Sequence, residues 1–103
     1  MKMLNLQTYQ EQIENQTGVN VIKFGADWCG PCRAYAPILE ETAKSAGNKA
    51  DFFEVNVDSE PELSAKFNVR SVPATFILKN GKVLKSMIGV QDKFTILKIL
   101  DSI

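Results

Sequence analysis

The chain has 103 residues, 45% hydrophobic and 23% charged, and its twelve Lys and Arg balance twelve Asp and Glu. That length fits one compact domain over residues 1–103, and zero net charge without a Lys/Arg cluster excludes the footprint of a nucleic-acid binder. No run is apolar enough to span a bilayer, and Met1 to Gln7 lacks the apolar stretch of a secretory signal, so the expected compartment is the cytoplasm.

Along the chain, Thr8 followed by Glu11 predicts a capping box that opens a first helix, ending near Gly18. Val19 to Ala26 is β-rich and apolar apart from Asn20 and Lys23, the pattern of a strand buried on both faces. From Pro31 the period becomes helical, with Tyr35, Ile38, Leu39, Thr42, Ala43 and Ala46 recurring until Gly47 closes the segment. Pro37 lies inside this helix and should kink it, because proline removes a donor and crowds the preceding turn. Phe52 to Val57 predicts another strand, and Ser59 with Glu62 a second capping box for a short helix through Phe67.

Ala74 to Lys79 and Lys82 to Ile88 flank Asn80-Gly81, whose tolerance of positive φ makes this a strong hairpin signal. Asp92 can cap a last helix with Phe94, Ile96, Leu97 and Leu100 turned inward. The order β-α-β-α-β-α-β-β-α implies an α/β fold. Its early units pair parallel strands through crossovers and its hairpin adds antiparallel ones, giving a mixed sheet with helices on both faces.

Cys29 and Cys32 are the only cysteines, and there is no histidine. A closed structural zinc site takes four such ligands, so none can form within one chain, and only an ion shared between two chains would be open. A structural disulfide closing so short a loop would add little stability. What the spacing does well is hold one thiol within reach of the other. Cys29 also falls between a strand and a helix start, where free N–H groups and the helix dipole favour a thiolate. Pro31 in the first turn sacrifices no hydrogen bond there.

Trp28-Cys29-Gly30-Pro31-Cys32-Arg33 resembles the active-site motif of the thioredoxin family, and Ala36-Pro37, Arg70-Ser71-Val72-Pro73, Lys79-Asn80-Gly81 and Gly89 match further downstream. The resemblance runs from Leu4 to Ile103. It implies the thioredoxin fold, with about five strands flanked by about four helices. It also implies a protein-disulfide reductase in which Cys29, the exposed nucleophile, attacks a substrate disulfide and the more buried Cys32 resolves the mixed disulfide. A Cys29–Cys32 disulfide would result, and a flavin-dependent thioredoxin reductase using NADPH would reduce it again, with no cofactor bound to this chain. By the same resemblance Gly30 and Pro31 help set the redox potential, and Pro73 is a cis-proline facing the pair. Val72 offers backbone groups to a substrate strand, and Trp28, Gly89 and Val90 complete an apolar docking surface. The expected partners are the reductase and disulfide-containing clients, and the expected state is a monomer.

Two positions depart from the family pattern. Lys23 stands where thioredoxins usually carry a buried aspartate beneath the redox pair, and Glu54 on the neighbouring strand stands where they often have lysine. The charge reversal predicts a Lys23–Glu54 ion pair, with Glu54 handling the Cys32 proton; otherwise the Lys23 stem snorkels outward. Gly25 replaces a bulkier residue and would open the surface beside the site. These departures leave two further functions in view: a redox partner dedicated to one client enzyme, or a binding subunit of the same fold whose thiols are dispensable.

Overall fold

The computed structural model describes residues 1–103. The elements are β1 (Lys2–Met3), α1 (Leu6–Gln12), β2 (Val19–Gly25), α2 (Gly30–Ala46), β3 (Asp51–Asn56), α3 (Pro61–Lys66), β4 (Ala74–Lys79), β5 (Lys82–Ile88) and α4 (Lys93–Asp101), with a 3-10 turn at Gly47–Lys49. One five-stranded sheet holds them in the order β1-β3-β2-β4-β5. β3 runs parallel to β1 and β2, while β4 is antiparallel to both β2 and β5. This is the thioredoxin fold, a mixed sheet with four helices.

β2 lies at the centre, and its alternation feeds two separate cores. Ile22 and Phe24 join Leu4, Tyr9, Ile13, Phe53, Val55 and Leu63 beneath α1 and α3. Val21, on the opposite face, joins Tyr35, Leu39, Phe52, Ile77, Ile96 and Leu100 beneath α2 and α4. A strand covered on both sides has no solvent face to mark with polar residues, which explains its nearly unbroken apolar sequence. Asn20 and Lys23 are the exceptions, and Lys23, the charged one, points to the α2 side at a register position between Glu54 of β3 and Thr75 of β4.

Several local expectations are corrected. The first capping box is built by Asn5, whose side chain accepts from the Thr8 amide at 2.8 Å while the Thr8 hydroxyl accepts from the Asn5 amide at 2.9 Å. Thr8 is therefore the third residue of the helix, and α1 stops at Gln12, well short of Gly18. Ser59 does not cap α3. Asn56 gathers the Asp58 and Ser59 amides instead, and the helix begins at Pro61 behind Glu60. Phe94 is 76% exposed: α4 buries Ile96 and Leu100 completely, and a residue two positions before Ile96 must face away.

The Asp92 cap and the Asn80-Gly81 turn act where they were expected. Asp92 caps α4 by accepting from the Thr95 amide at 2.9 Å. Asn80 and Gly81 both hold positive φ, 53° and 81°, and form the two-residue link between β4 and β5. α2 runs unbroken across Pro37, whose missing N–H leaves the Arg33 carbonyl without its helical donor.

Candidate active site

The parallel pairing of β2 with β3 brings their C-terminal ends to one edge of the sheet, and the loop leaving β2 enters α2 at that edge. Cys29 is the N-cap of α2. Its sulfur accepts from the Cys32 amide at 3.2 Å, so the first turn closes around the sulfur itself. Pro31 occupies the first turn, where no intrahelical donor is needed. The Cα atoms of Cys29 and Cys32 lie 5.3 Å apart, and the two residues are joined as a disulfide.

Both sulfur-bearing residues are buried, Cys29 at 4% exposure and Cys32 at 1%. The family resemblance made Cys29 the exposed partner; the ranking survives, but in the disulfide form the exposure is slight. Ala26, Val57 and Val72 pack around the pair and account for that cover.

The other site residues come from distant parts of the chain. The Val72–Pro73 peptide bond is cis, and the Val72 carbonyl oxygen stands 3.8 Å from the Cys29 sulfur. The Pro73 carbonyl accepts from the Gly89 amide at 2.8 Å, which ties the end of β5 to the same point. Gly89 takes φ of 88°, a conformation that a side chain would disfavour. Val90 is exposed beside it, and Trp28 is 69% exposed on the N-terminal flank of the pair. Gly30 is exposed between the two cysteines.

Lys23 and Glu54 do not form the expected ion pair, since the ammonium and the carboxylate are not within 4.0 Å of each other. The Lys23 ammonium instead donates to the Cys32 carbonyl at 3.4 Å, which draws the side chain toward α2. Nor does the stem snorkel to the surface: Lys23 is 7% exposed. Glu54 shares with Lys23, Gly25, Asp27, Cys32 and Arg33 the walls of a cavity of about 330 Å3 next to the disulfide.

Three contacts at the site had no warning in the motif. Trp28 Nε1 donates to Asp58 at 2.9 Å, holding the indole at the rim. Arg33 donates to the Asp27 carbonyl at 2.6 Å, and Asn56 Nδ2 reaches the Asp27 carboxylate at 3.4 Å. The signal that could have found Asp58 and Asn56 is topological. Residues at and just past the end of β3 must sit beside residues at and just past the end of β2, because the strands are parallel neighbours.

A disulfide that a helix N-terminus caps, and that the carbonyl preceding a cis-proline faces, has the form of a thiol–disulfide exchange centre. The comparisons with known proteins agree. The thioredoxin family model matches residues 1–102. A thioredoxin of Staphylococcus haemolyticus is 41% identical over 86 residues, 84% of this chain and 83% of that protein. A thioredoxin of Rhodospirillum rubrum is 38% identical over 93 residues, covering 90% and 89%, and one of Staphylococcus aureus is 38% identical over 86 residues. The chain belongs to the thioredoxin family, and it is a thiol–disulfide oxidoreductase.

Proposed function

We propose that this protein, a single thioredoxin domain over residues 1–103, reduces disulfides in client proteins by a two-cysteine exchange. The Cys29 thiolate attacks one sulfur of the client disulfide, the client S–S bond breaks, and the second client sulfur leaves with the electron pair. The Cys32 thiolate then attacks the Cys29 sulfur. The intermolecular bond breaks, the remaining client sulfur departs as thiolate, and the Cys29–Cys32 disulfide forms. The observation that carries this reading is the Cys29 sulfur at the start of α2, hydrogen-bonded by the Cys32 amide. Helix-terminal amides and dipole stabilise a thiolate there, and the thiolate is the attacking species.

In this reading Val72 presents its backbone to the client and Pro73 fixes the approach. Gly30 and Pro31 tune the balance between dithiol and disulfide, and Trp28, Gly89 and Val90 form the apolar rim. Glu54, in the wall of the cavity beside Cys32, takes up the Cys32 proton before resolution. A cavity of about 330 Å3 has room for several waters to relay it, at roughly 30 Å3 each. The protein works as a monomer in the cytoplasm with no bound cofactor. NADPH supplies the electrons through a flavin-dependent thioredoxin reductase.

Insulin reduction by dithiothreitol tests the enzyme. Catalysed turbidity is expected with the wild-type chain and its loss with Cys29→Ser. Turnover that survives the substitution would leave a binding subunit as the better reading. Replacing dithiothreitol with a thioredoxin reductase and NADPH then tests the regeneration step. The cavity opened by Gly25 supports a second reading, a partner dedicated to one client, and sustained reduction of insulin with reductase and NADPH would count against it.

A further inference from the structure

We infer that Lys23, given room by Gly25, acts as a positioning residue that stabilises the Cys32 thiolate electrostatically during resolution of the mixed disulfide. The inference rests on the two-cysteine reading above and adds to it the means by which the second sulfur becomes a nucleophile.

Lys23 occupies the middle of β2, almost wholly buried, and faces the first turn of α2. Its ammonium has three donors, and the one hydrogen bond it makes to protein goes to the carbonyl of Cys32 itself. The side chain therefore ends at the residue whose sulfur must ionise. The remaining donors belong to a group on the wall of the cavity that Cys32 also lines.

Gly25 explains why the lysine fits. It lies two residues further along β2 on the same face, and a Cβ there would stand 3.1 Å from Lys23 Cε and 3.3 Å from Cys32 Sγ. The end of the lysine and the sulfur thus flank the same empty point, with no side chain between them. Any larger residue at position 25 would enter that gap, pushing the cation aside or screening it. The glycine and the lysine form one device, and neither departure from the family pattern is independent of the other.

Other charges face this region from each neighbouring element. Glu54 of β3 lines the cavity wall and opposes the lysine. Asp27, in the loop before α2, is exposed and accepts from Asn56. Arg33 of α2 is exposed and held to the Asp27 carbonyl. Tyr35, one turn further along α2, is neutral and bonded to Thr75 of β4. Lys23 alone among these is a buried cation in contact with Cys32. A cation a few Å from an ionising group favours its charged form, and low dielectric strengthens that effect relative to water.

During resolution the Cys32 proton leaves first, to Glu54 or cavity water, and the thiolate remains beside the lysine. Its electron pair then forms the bond to Cys29 as the client sulfur departs with the pair from the broken bond. Lys23 neither gives nor takes a proton in this step. It lowers the free energy of the anion that attacks.

The test titrates Cys32 by thiolate absorbance in a Cys29→Ser background, where only one sulfur contributes. Lys23→Gln keeps a donor for the Cys32 carbonyl and removes the charge; Lys23→Met removes both. Each is expected to raise the titration midpoint by about one pH unit or more, and in chains retaining Cys29 to slow resolution several-fold at pH 7. Gly25→Ala should move the midpoint the same way by a smaller amount. An unchanged or lowered midpoint in Lys23→Gln, with far-UV circular dichroism showing a folded chain, overturns the inference. Insulin reduction would persist in that event and leave the two-cysteine reading standing; loss of that reading is diagnosed separately, by turnover without Cys29.

Discussion

Tyr35 shows how a single hydroxyl is accommodated beneath the site. Its ring is fully buried, and its oxygen shares a 2.7 Å hydrogen bond with the Thr75 hydroxyl. Burial raises its pKa above the ordinary 10.0, against the lowering effect of the bonds to Thr75 and the Gln91 backbone. Tyr9 is raised too, by burial and by Glu14, with Lys66 opposing. A raised native value means that the fold favours the neutral phenol. The associated stability is complete below pH 10 and is lost as pH climbs through the native value. Tyr35→Phe should therefore lose less stability than wild type between pH 9 and pH 11, measured as urea midpoints; an equal loss would exclude Tyr35 as a contributor.

At this same scale the cysteines, Pro73 and the turn glycines were legible because each carries a local requirement: a nucleophile, a backbone shape, a positive φ. Lys23 was legible as an anomaly, but its partner was not. The ammonium had two polar groups in range, Glu54 beside it in the sheet and the Cys32 carbonyl above it. Only the packing of α2 decides between them. Trp28 with Asp58 and Tyr35 with Thr75 were invisible for a related reason, since each pair is 30 or more residues apart in sequence.

Helix starts depend on which side chain reaches the free amides. Asn5 does so for α1, and Asn5→Ala should destabilise the protein by about 1 kcal/mol, read from chemical denaturation. Ser59→Ala at the start of α3 should change little by the same measurement, because Ser59 makes no cap bond there. Thr8 and Ser59 each resembled an N-cap because both precede an acidic residue at the right spacing. In each case an asparagine three residues earlier organises the turn instead, Asn5 accepting from the Thr8 amide and Asn56 from those of Asp58 and Ser59. The hairpin was more legible, as Asn-Gly has few other uses between two β-rich runs. Its docking was not: Asn80 exchanges hydrogen bonds with Gly18 at 2.8 and 2.9 Å, and a Cβ on Gly81 would meet the Asn15 amide at 3.0 Å. Gly81→Ala combines that close approach with a φ of 81°, so it should lower thermal stability by more than the roughly 1 kcal/mol expected for an ordinary exposed turn.

The sheet order β1-β3-β2-β4-β5 is what turns dispersed residues into one site. β2 at the centre delivers Cys29 and Cys32 through the loop into α2, and β3 beside it delivers Glu54, Asn56 and Asp58. The segment entering β4 brings Val72 and Pro73, and the end of β5 brings Gly89. The fold class followed from the alternation of strands and helices, but not the partitioning of charge beneath the pair. There the lysine at position 23 and the glycine at position 25 together reshape an otherwise family-like centre. That reshaping bears on how readily Cys32 ionises and leaves unchanged the order in which the two sulfurs act. That order is tested directly by mass spectrometry of the species formed when a Cys32→Ser chain meets oxidised insulin. The account predicts a stable adduct linked through Cys29 and formed at the wild-type initial rate. Absence of that adduct, or equally fast capture by Cys32 in a Cys29→Ser chain, would contradict it.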